Sequence, residues 1–304
     1  MKLHRKITTL MVFIIAASLL LAACSGNGAS STEPTEIVVD VVAEAATEVA
    51  QAPEPTPEPT KPPTATTEPT PVSSEPTVEP TPTNTLNPYD TIVAASKDFM
   101  DQGMTDQALE EINKAIQMDP TAPGAYIQRG RIYLSQNNFE VAIVEFNFAL
   151  NYDPNSAEAY NNRGVAFASQ QSFNQALLDI GKALELKPDY VDAFINRSIV
   201  YIGRQEYDLA FADLESALAI DPDDLEIYFN RGNLHRLLEQ TDQALADYNQ
   251  MIAIDPDNAL GYFSRGTVYL ISQELEKALE DLNTAIEMNP DLIEAYYWRA
   301  VAFI

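Results

Sequence analysis

The 304-residue chain has one cysteine, Cys24, two histidines, His4 and His235, and one tryptophan, Trp298. A single cysteine excludes an intramolecular disulfide and any multi-cysteine metal site. His4 lies in the apolar start and His235 stands where other units carry Tyr or Phe, without the convergent partners that a catalytic or metal-bound imidazole needs. No Ser-His-Asp set, Gly-rich phosphate loop or metal spacing is present. Basic residues are scarce, 18 Lys and Arg against 45 Asp and Glu for a net charge of -27, and Lys2, Arg5 and Lys6 crowd the first six positions. Phosphate binding depends on clustered Lys and Arg, so nucleic acid is excluded as a partner and anionic head groups are repelled. The composition points to no enzyme, no cofactor and no small-molecule substrate.

Composition divides what is there into three parts: 1–23, 24–88 and 89–304. Lys2, Arg5 and Lys6 precede an apolar run from Ile7 to Leu21 and the small residues Ala22 and Ala23, the plan of a secretory signal peptide. The run is short for a membrane span, which takes ~20 apolar residues. Leu21-Ala22-Ala23-Cys24 resembles the lipobox of bacterial lipoproteins. That resemblance implies acylation at Cys24, a protein held on the extracytoplasmic face of the cell membrane, and membrane contact through the lipid anchor only; two or more acyl chains suffice for a stable hold. An ordinary cleaved signal followed by an incidental cysteine is the alternative. From Ser25 to Pro88 the chain repeats Glu-Pro-Thr and Thr-Pro units with few large apolar residues, so no packed domain is expected there. Proline biases such a segment to polyproline II, and ten acidic residues against Lys61 favour extension. A spacer, an O-glycosylated stalk and an inert linker all fit this composition.

Past Pro88 a period dominates: Pro120, Pro154, Pro188, Pro222, Pro256 and Pro290 are each 34 residues apart. With Pro123 as position 1, position 4 is aromatic (Tyr126, Tyr160, Phe194, Tyr228, Tyr262, Tyr296) and position 8 is small (Gly130, Gly164, Ser198, Gly232, Gly266, Ala300). Position 20 is always alanine, from Ala108 to Ala278. Positions 4, 8 and 11 make one helical stripe and 20, 24 and 27 another, so each unit is a pair of amphipathic helices. Small residues let the pair approach within ~8 to 10 Å, and the proline ends the second helix. These marks resemble the tetratricopeptide repeat family, which implies an all-α, right-handed helical-repeat solenoid. The expected units are 89–122, 123–156, 157–190, 191–224, 225–258 and 259–292, with an incomplete one from Ile293. Solenoids usually close with a polar capping helix. Tyr296, Trp298 and Phe303 stand near the last residue instead, so either the chain is a fragment or that end docks on something else.

Position 7 is arginine in Arg129, Arg163, Arg197, Arg231, Arg265 and Arg299, and position 23 is acidic in Glu111, Glu145, Asp179, Asp213, Asp247 and Asp281. Both positions adjoin packed stripes, which favours internal ion pairs over a ligand site. Pairing within units leaves Glu111 facing Ala95 and Arg299 without an acid. Pairing each acid with the next unit's arginine closes all six: Glu111 with Arg129, Glu145 with Arg163, Asp179 with Arg197, Asp213 with Arg231, Asp247 with Arg265 and Asp281 with Arg299. Inter-repeat pairs that fix the stacking angle are therefore expected.

The resemblance also implies a concave, peptide-binding groove at positions 2, 5, 6, 9 and 12. Ile127, Asn161, Ile195, Phe229 and Phe263 stand at position 5, Gln128, Asn162, Asn196 and Asn230 at position 6, and Arg131 and Asn233 at position 9. Amides donate and accept at once and suit an extended backbone, with apolar residues at position 5 receiving side chains. The same amides also suit a merely structural role on their own helix. Glu158, Asp192 and Glu226 make one rim acidic, and only Arg131 and Arg236 stand where a partner's terminal carboxylate could be clamped. The expected partner is a protein or extended peptide, bound by an adaptor for envelope proteins. A passive surface spacer and an accessory fragment of a larger envelope enzyme are the alternatives.

Overall fold

The computed structural model describes residues 87–303; Cys24, the signal segment and the Pro/Thr tether lie outside the described residues. Thirteen helices follow one another without a strand among the described residues: α1 Pro88–Asp101, α2 Thr105–Met118, α3 Pro123–Ser135, α4 Phe139–Tyr152, α5 Ala157–Ser169, α6 Phe173–Leu186 and α7 Val191–Gly203. Then come α8 Tyr207–Ile220, α9 Leu225–Leu237, α10 Thr241–Ile254, α11 Ala259–Ile271, α12 Leu275–Met288 and α13 Ile293–Val301. Six helical hairpins thus stand where the period places them, and α13 begins a seventh unit.

The hairpins close because position 8 lacks bulk. A methyl group built on Gly130 would sit 2.5 Å from the Phe146 ring, on Gly164 2.5 Å from Ile180, and on Gly232 2.6 Å from Tyr248. The large residue at position 24 therefore packs directly on the backbone of the facing helix, and Phe146, Ile180, Leu214, Tyr248 and Leu282 are wholly buried. The unit 225–258 carries Met251 at position 27 in place of alanine. Gly261 of the following helix faces this turn, where a methyl group would lie 3.0 Å from Ile252 Cγ1 and 3.5 Å from the Met251 Cβ.

The first helix of each of the six complete hairpins ends in the same way. In α3 the Asn138 amide donates to the Tyr133 carbonyl at 2.9 Å and the Asn137 amide to Leu134 at 3.0 Å. This double closure requires a left-handed residue at position 15. Gly103 supplies it in the first unit, and Asn137, Gln171, Gln205, Glu239 and Gln273 supply it afterwards with φ between 58° and 62°. Side chains at those positions work against the backbone, so the hairpin turn is held by the packing around it.

Neighbouring units stack through continuous apolar clusters, such as Tyr126, Phe146, Ala149, Leu150 and Ala159 between the second and third. First helices of successive units from α1 to α11 also touch one another, with no comparable contact between second helices. The first helices therefore form the inner wall. Gly164→Ala tests the close approach, because its methyl would meet Ile180 and, at 3.2 Å, the rigid Ala176 carbonyl oxygen. The variant is expected to lose ~1 to 3 kcal/mol in urea unfolding despite the better helix propensity of alanine.

Candidate functional site

Position 7 follows from the hairpin geometry. Residues 8 and 24 touch across each unit, so their neighbours 7 and 23 lie side by side on the same interface. Arg163 donates from Nε and Nη2 to both oxygens of Asp179 at 2.7 and 2.8 Å. Arg197 grips Asp213 in the same fork at 2.8 and 2.7 Å, and Arg265 grips Asp281 at 2.8 Å through both nitrogens. Arg231 reaches Asp247 from Nη2 at 2.6 Å and from Nε at 3.1 Å. The pairs are thus within units, which corrects the expectation of pairing with the next unit's arginine. Glu145 pairs with Arg129 and not Arg163, Asp179 with Arg163, Asp213 with Arg197, Asp247 with Arg231, and Asp281 with Arg265. The elimination failed at its ends: Glu111 pairs with Lys114 at 2.8 Å, and Arg299 needs no acid because Asn283 accepts from it at 2.9 Å.

Units are nevertheless joined by these arginines, through a residue that sequence reasoning passed over. The third nitrogen, Nη1, crosses to position 25 of the preceding unit. Arg129 reaches Asn113 at 2.8 Å, Arg163 reaches Asn147 at 2.6 Å, Arg231 reaches Glu215 at 2.5 Å and Arg265 reaches Asn249 at 2.7 Å. Each guanidinium also lies over the position-4 ring of its own helix, from 5.2 Å at Tyr296 to 5.6 Å at Tyr126, Phe194 and Tyr228. One side chain thus ties ring, acid and neighbour together. Positions 23 and 25 stand i, i+2 apart, which is not a helical neighbour spacing, so the sequence does not mark the acid and the amide as one site.

The groove residues fall into three groups. Ile127, Ile195, Phe229 and Phe263 are buried in the core clusters, with 6% exposure at most, so position 5 packs the solenoid and receives no partner side chain as it stands. The amides are engaged at home. Asn162 donates to the Glu158 carbonyl and Asn230 to the Glu226 carbonyl, each at 2.8 Å, one helical turn back. Asn196 donates to the Asn161 carboxamide at 3.1 Å, and Gln128 donates its amide to the Met100 sulfur at 3.1 Å. Asn233 accepts from the wholly buried Tyr248 hydroxyl at 3.0 Å, and burial pushes that phenol up to about 12. Arg131 is tied to Glu158 of the next unit at 3.1 Å, and Arg236 donates to Asn233 at 3.3 Å. Beside Arg131, Tyr190 replaces the capping residue that Ser156, Asp224 and Asn258 provide elsewhere, and burial raises its phenol.

Glu158 and Asp192 remain exposed along this wall. His235 packs its ring 4.7 Å from Phe211 and its Nδ1 lies 2.6 Å from the Gln240 carboxamide oxygen. Among the described residues no three His, Cys, Asp or Glu side chains converge as a metal site would require.

Comparison with known proteins gives the following. Residues 157–190, 198–260 and 93–147 match models described as tetratricopeptide repeat, and 130–171 and 266–304 match a TPR repeat model. No curated protein sequence matches. Among solved structures, the Cut9-Hcn1 hetero-tetramer of the APC/C is similar with a TM-score of 0.61 at 17% identity, over 71% of this chain and 43% of that one. The chain thus spans under half of that protein's length. PilW, a type IV pilus biogenesis factor, gives 0.60 at 21% identity over 69% and 97% of the two chains. Pseudomonas aeruginosa pilF gives 0.55 at 18% identity over 70% and 96%. At these identities the likeness is one of fold.

The Arg129 pair differs from the rest in a way that can be tested. Glu145 is one methylene longer than aspartate and takes only Nη2, at 2.8 Å, leaving the buried Arg129 Nε without a partner. Desolvation raises the Glu145 carboxyl above its ordinary value, against the pull of Arg129. A raised acid stabilises the fold below the ordinary carboxylate range, and that contribution is lost as pH rises through the raised value. Glu145→Asp is expected to restore the fork, add ~1 kcal/mol at pH 7 and reduce the loss of stability over that rise. Denaturant midpoints from pH 4 to 8 check both.

Proposed function

Because the chain belongs to the tetratricopeptide repeat family over most of residues 93–304, and such arrays generally serve as non-enzymatic scaffolds that bind proteins or peptides, we propose that it is a lipid-anchored, extracytoplasmic scaffold that acts as an adaptor for envelope proteins. The observation that supports this reading is the unbroken inner wall of first helices from α1 to α11, a surface able to follow an extended chain across several units. The lipobox-like Leu21-Ala22-Ala23-Cys24 supports the anchor.

The wall favours one partner chemistry. Arg131 is paired with Glu158, which leaves Arg236, itself bonded to Asn233, as a single cation, so a clamp for a partner's terminal carboxylate is not favoured. Glu158, Asp192 and Glu226 recur at position 2 along the wall, in a chain of net charge -27. An extended segment bearing Lys or Arg is the partner that this field attracts and orients.

Capture from envelope extract with the full chain tests the proposal. Asp192→Lys combined with Glu226→Lys reverses the rim without entering the core. An adaptor is expected to lose its partner by more than about tenfold, the scale of a few screened charge contacts, while a passive spacer is indifferent. Cys24→Ser in the same strain is expected to move the protein from the membrane to the soluble fraction. Capture of no specific partner by the native chain overturns the adaptor reading, a partner retained by the reversed rim overturns the acidic rim as its site, and continued membrane retention of Cys24→Ser overturns the anchor.

A further inference from the structure

The row of arginines has one gap. At five seams an acceptor at position 25 of the preceding unit receives Nη1, at 2.5 to 2.9 Å, and the acceptors are the amides Asn113, Asn147, Asn249 and Asn283 and the carboxylate Glu215. At the seam between 157–190 and 191–224 the residue at position 25 is Gly181. Nothing lies within 4 Å of where its Cβ would stand, so the space an asparagine occupies elsewhere is open. Arg197 keeps its fork on Asp213 and lies 5.6 Å from the Phe194 ring and 6.0 Å from the Tyr201 ring, but its Nη1 has no partner among the described residues.

One turn before Gly181, on the same face of α6, Leu178 is 74% exposed, the least covered leucine among the described residues. Its counterparts in the first and sixth units are Glu110 and Glu280. An apolar knob therefore adjoins a ring-flanked N–H donor and open space where other units carry a side chain. These features are distinct from the inner wall.

We propose that this gap is a docking socket for a partner protein that inserts an Asn or Gln side chain beside Arg197, with an apolar residue against Leu178. The chain itself shows what the socket takes, since four of the five occupied seams use a carboxamide oxygen. A carboxylate can fill such a seam, as Glu215 does at Arg231 beside Asp247, but with Asp213 already on Arg197 and a chain charge of -27 a neutral carboxamide enters at the smaller electrostatic cost. The guanidinium is held in place before binding by Asp213 and its ring contacts, so the donor needs no reordering when the acceptor arrives.

The test uses two substitutions at one position. Gly181→Asn supplies the missing acceptor from within the chain, whereas Gly181→Ala adds a methyl group to open space and leaves the socket empty. Alanine is the better helix former. A higher urea midpoint for Gly181→Asn than for Gly181→Ala is therefore expected only if the socket accepts a carboxamide, and the reverse order overturns the site. The second arm places a benzoylphenylalanine photocrosslinker at Leu178 of the full chain in its own envelope. The adduct is expected to persist in Gly181→Ala, to fall about tenfold in Gly181→Asn, as loss of one hydrogen bond to a charged group implies, and to map to a partner segment containing Asn or Gln. No adduct, equal adducts in both variants, or a segment without an amide side chain overturns the proposal. Because the inner wall is untouched, capture that depends on Asp192 and Glu226 survives failure here.

Discussion

The absent side chain at position 8 is the constraint on which the rest depends. Gly130, Gly164, Gly232 and Gly266 let a large residue at position 24 press on the facing backbone, and every other contact is measured from that approach. With 8 against 24, position 7 must lie beside 23. Arginine and aspartate there form a fork within the unit, and the same guanidinium has one edge left over. That edge reaches the previous unit and fixes how hairpins stack. Buried pairs of this kind add little net stability but are costly to break, so their effect is to define geometry.

From this follows the division of surfaces. First helices line the inner wall, where positions 5 and 6 are covered by neighbours while Glu158 and Asp192 at position 2 are exposed and Glu226 is half-buried, so the wall offers acidic groups more than pockets. The seams between units carry the arginine edges, and one of those seams is incomplete. A repeat protein that reuses the same contact at each joint makes any departure from it conspicuous, as at Gly181.

Much of the fold was legible because it rests on a linear period. The prolines, the small residues at position 8 and the alanines at 20 located all six hairpins, and the structure has helices at each of them. Pairing was not legible in the same way. Which acid meets Arg163 depends on which helix faces it, and a rule that every charge must find an opposite charge chose the wrong neighbour. Glu111 and Arg299, at the ends of the row, use a lysine and an amide instead. The glycine at position 8 held the correct clue, since whatever packs on residue 8 brings residue 23 to residue 7. Position 5 was misplaced for a related reason: a first helix between three neighbours buries a wider arc than a single amphipathic stripe, and Phe229 and Ile195 fall inside it.

The central claim is that each arginine belongs first to the acid of its own unit. Two double-mutant cycles in urea test it directly, one on Arg163 with Asp179 and one on Asp179 with Arg197. The account predicts a coupling of ~1 to 3 kcal/mol for the first and nearly none for the second. Strong coupling between Asp179 and Arg197, with none to Arg163, would contradict it.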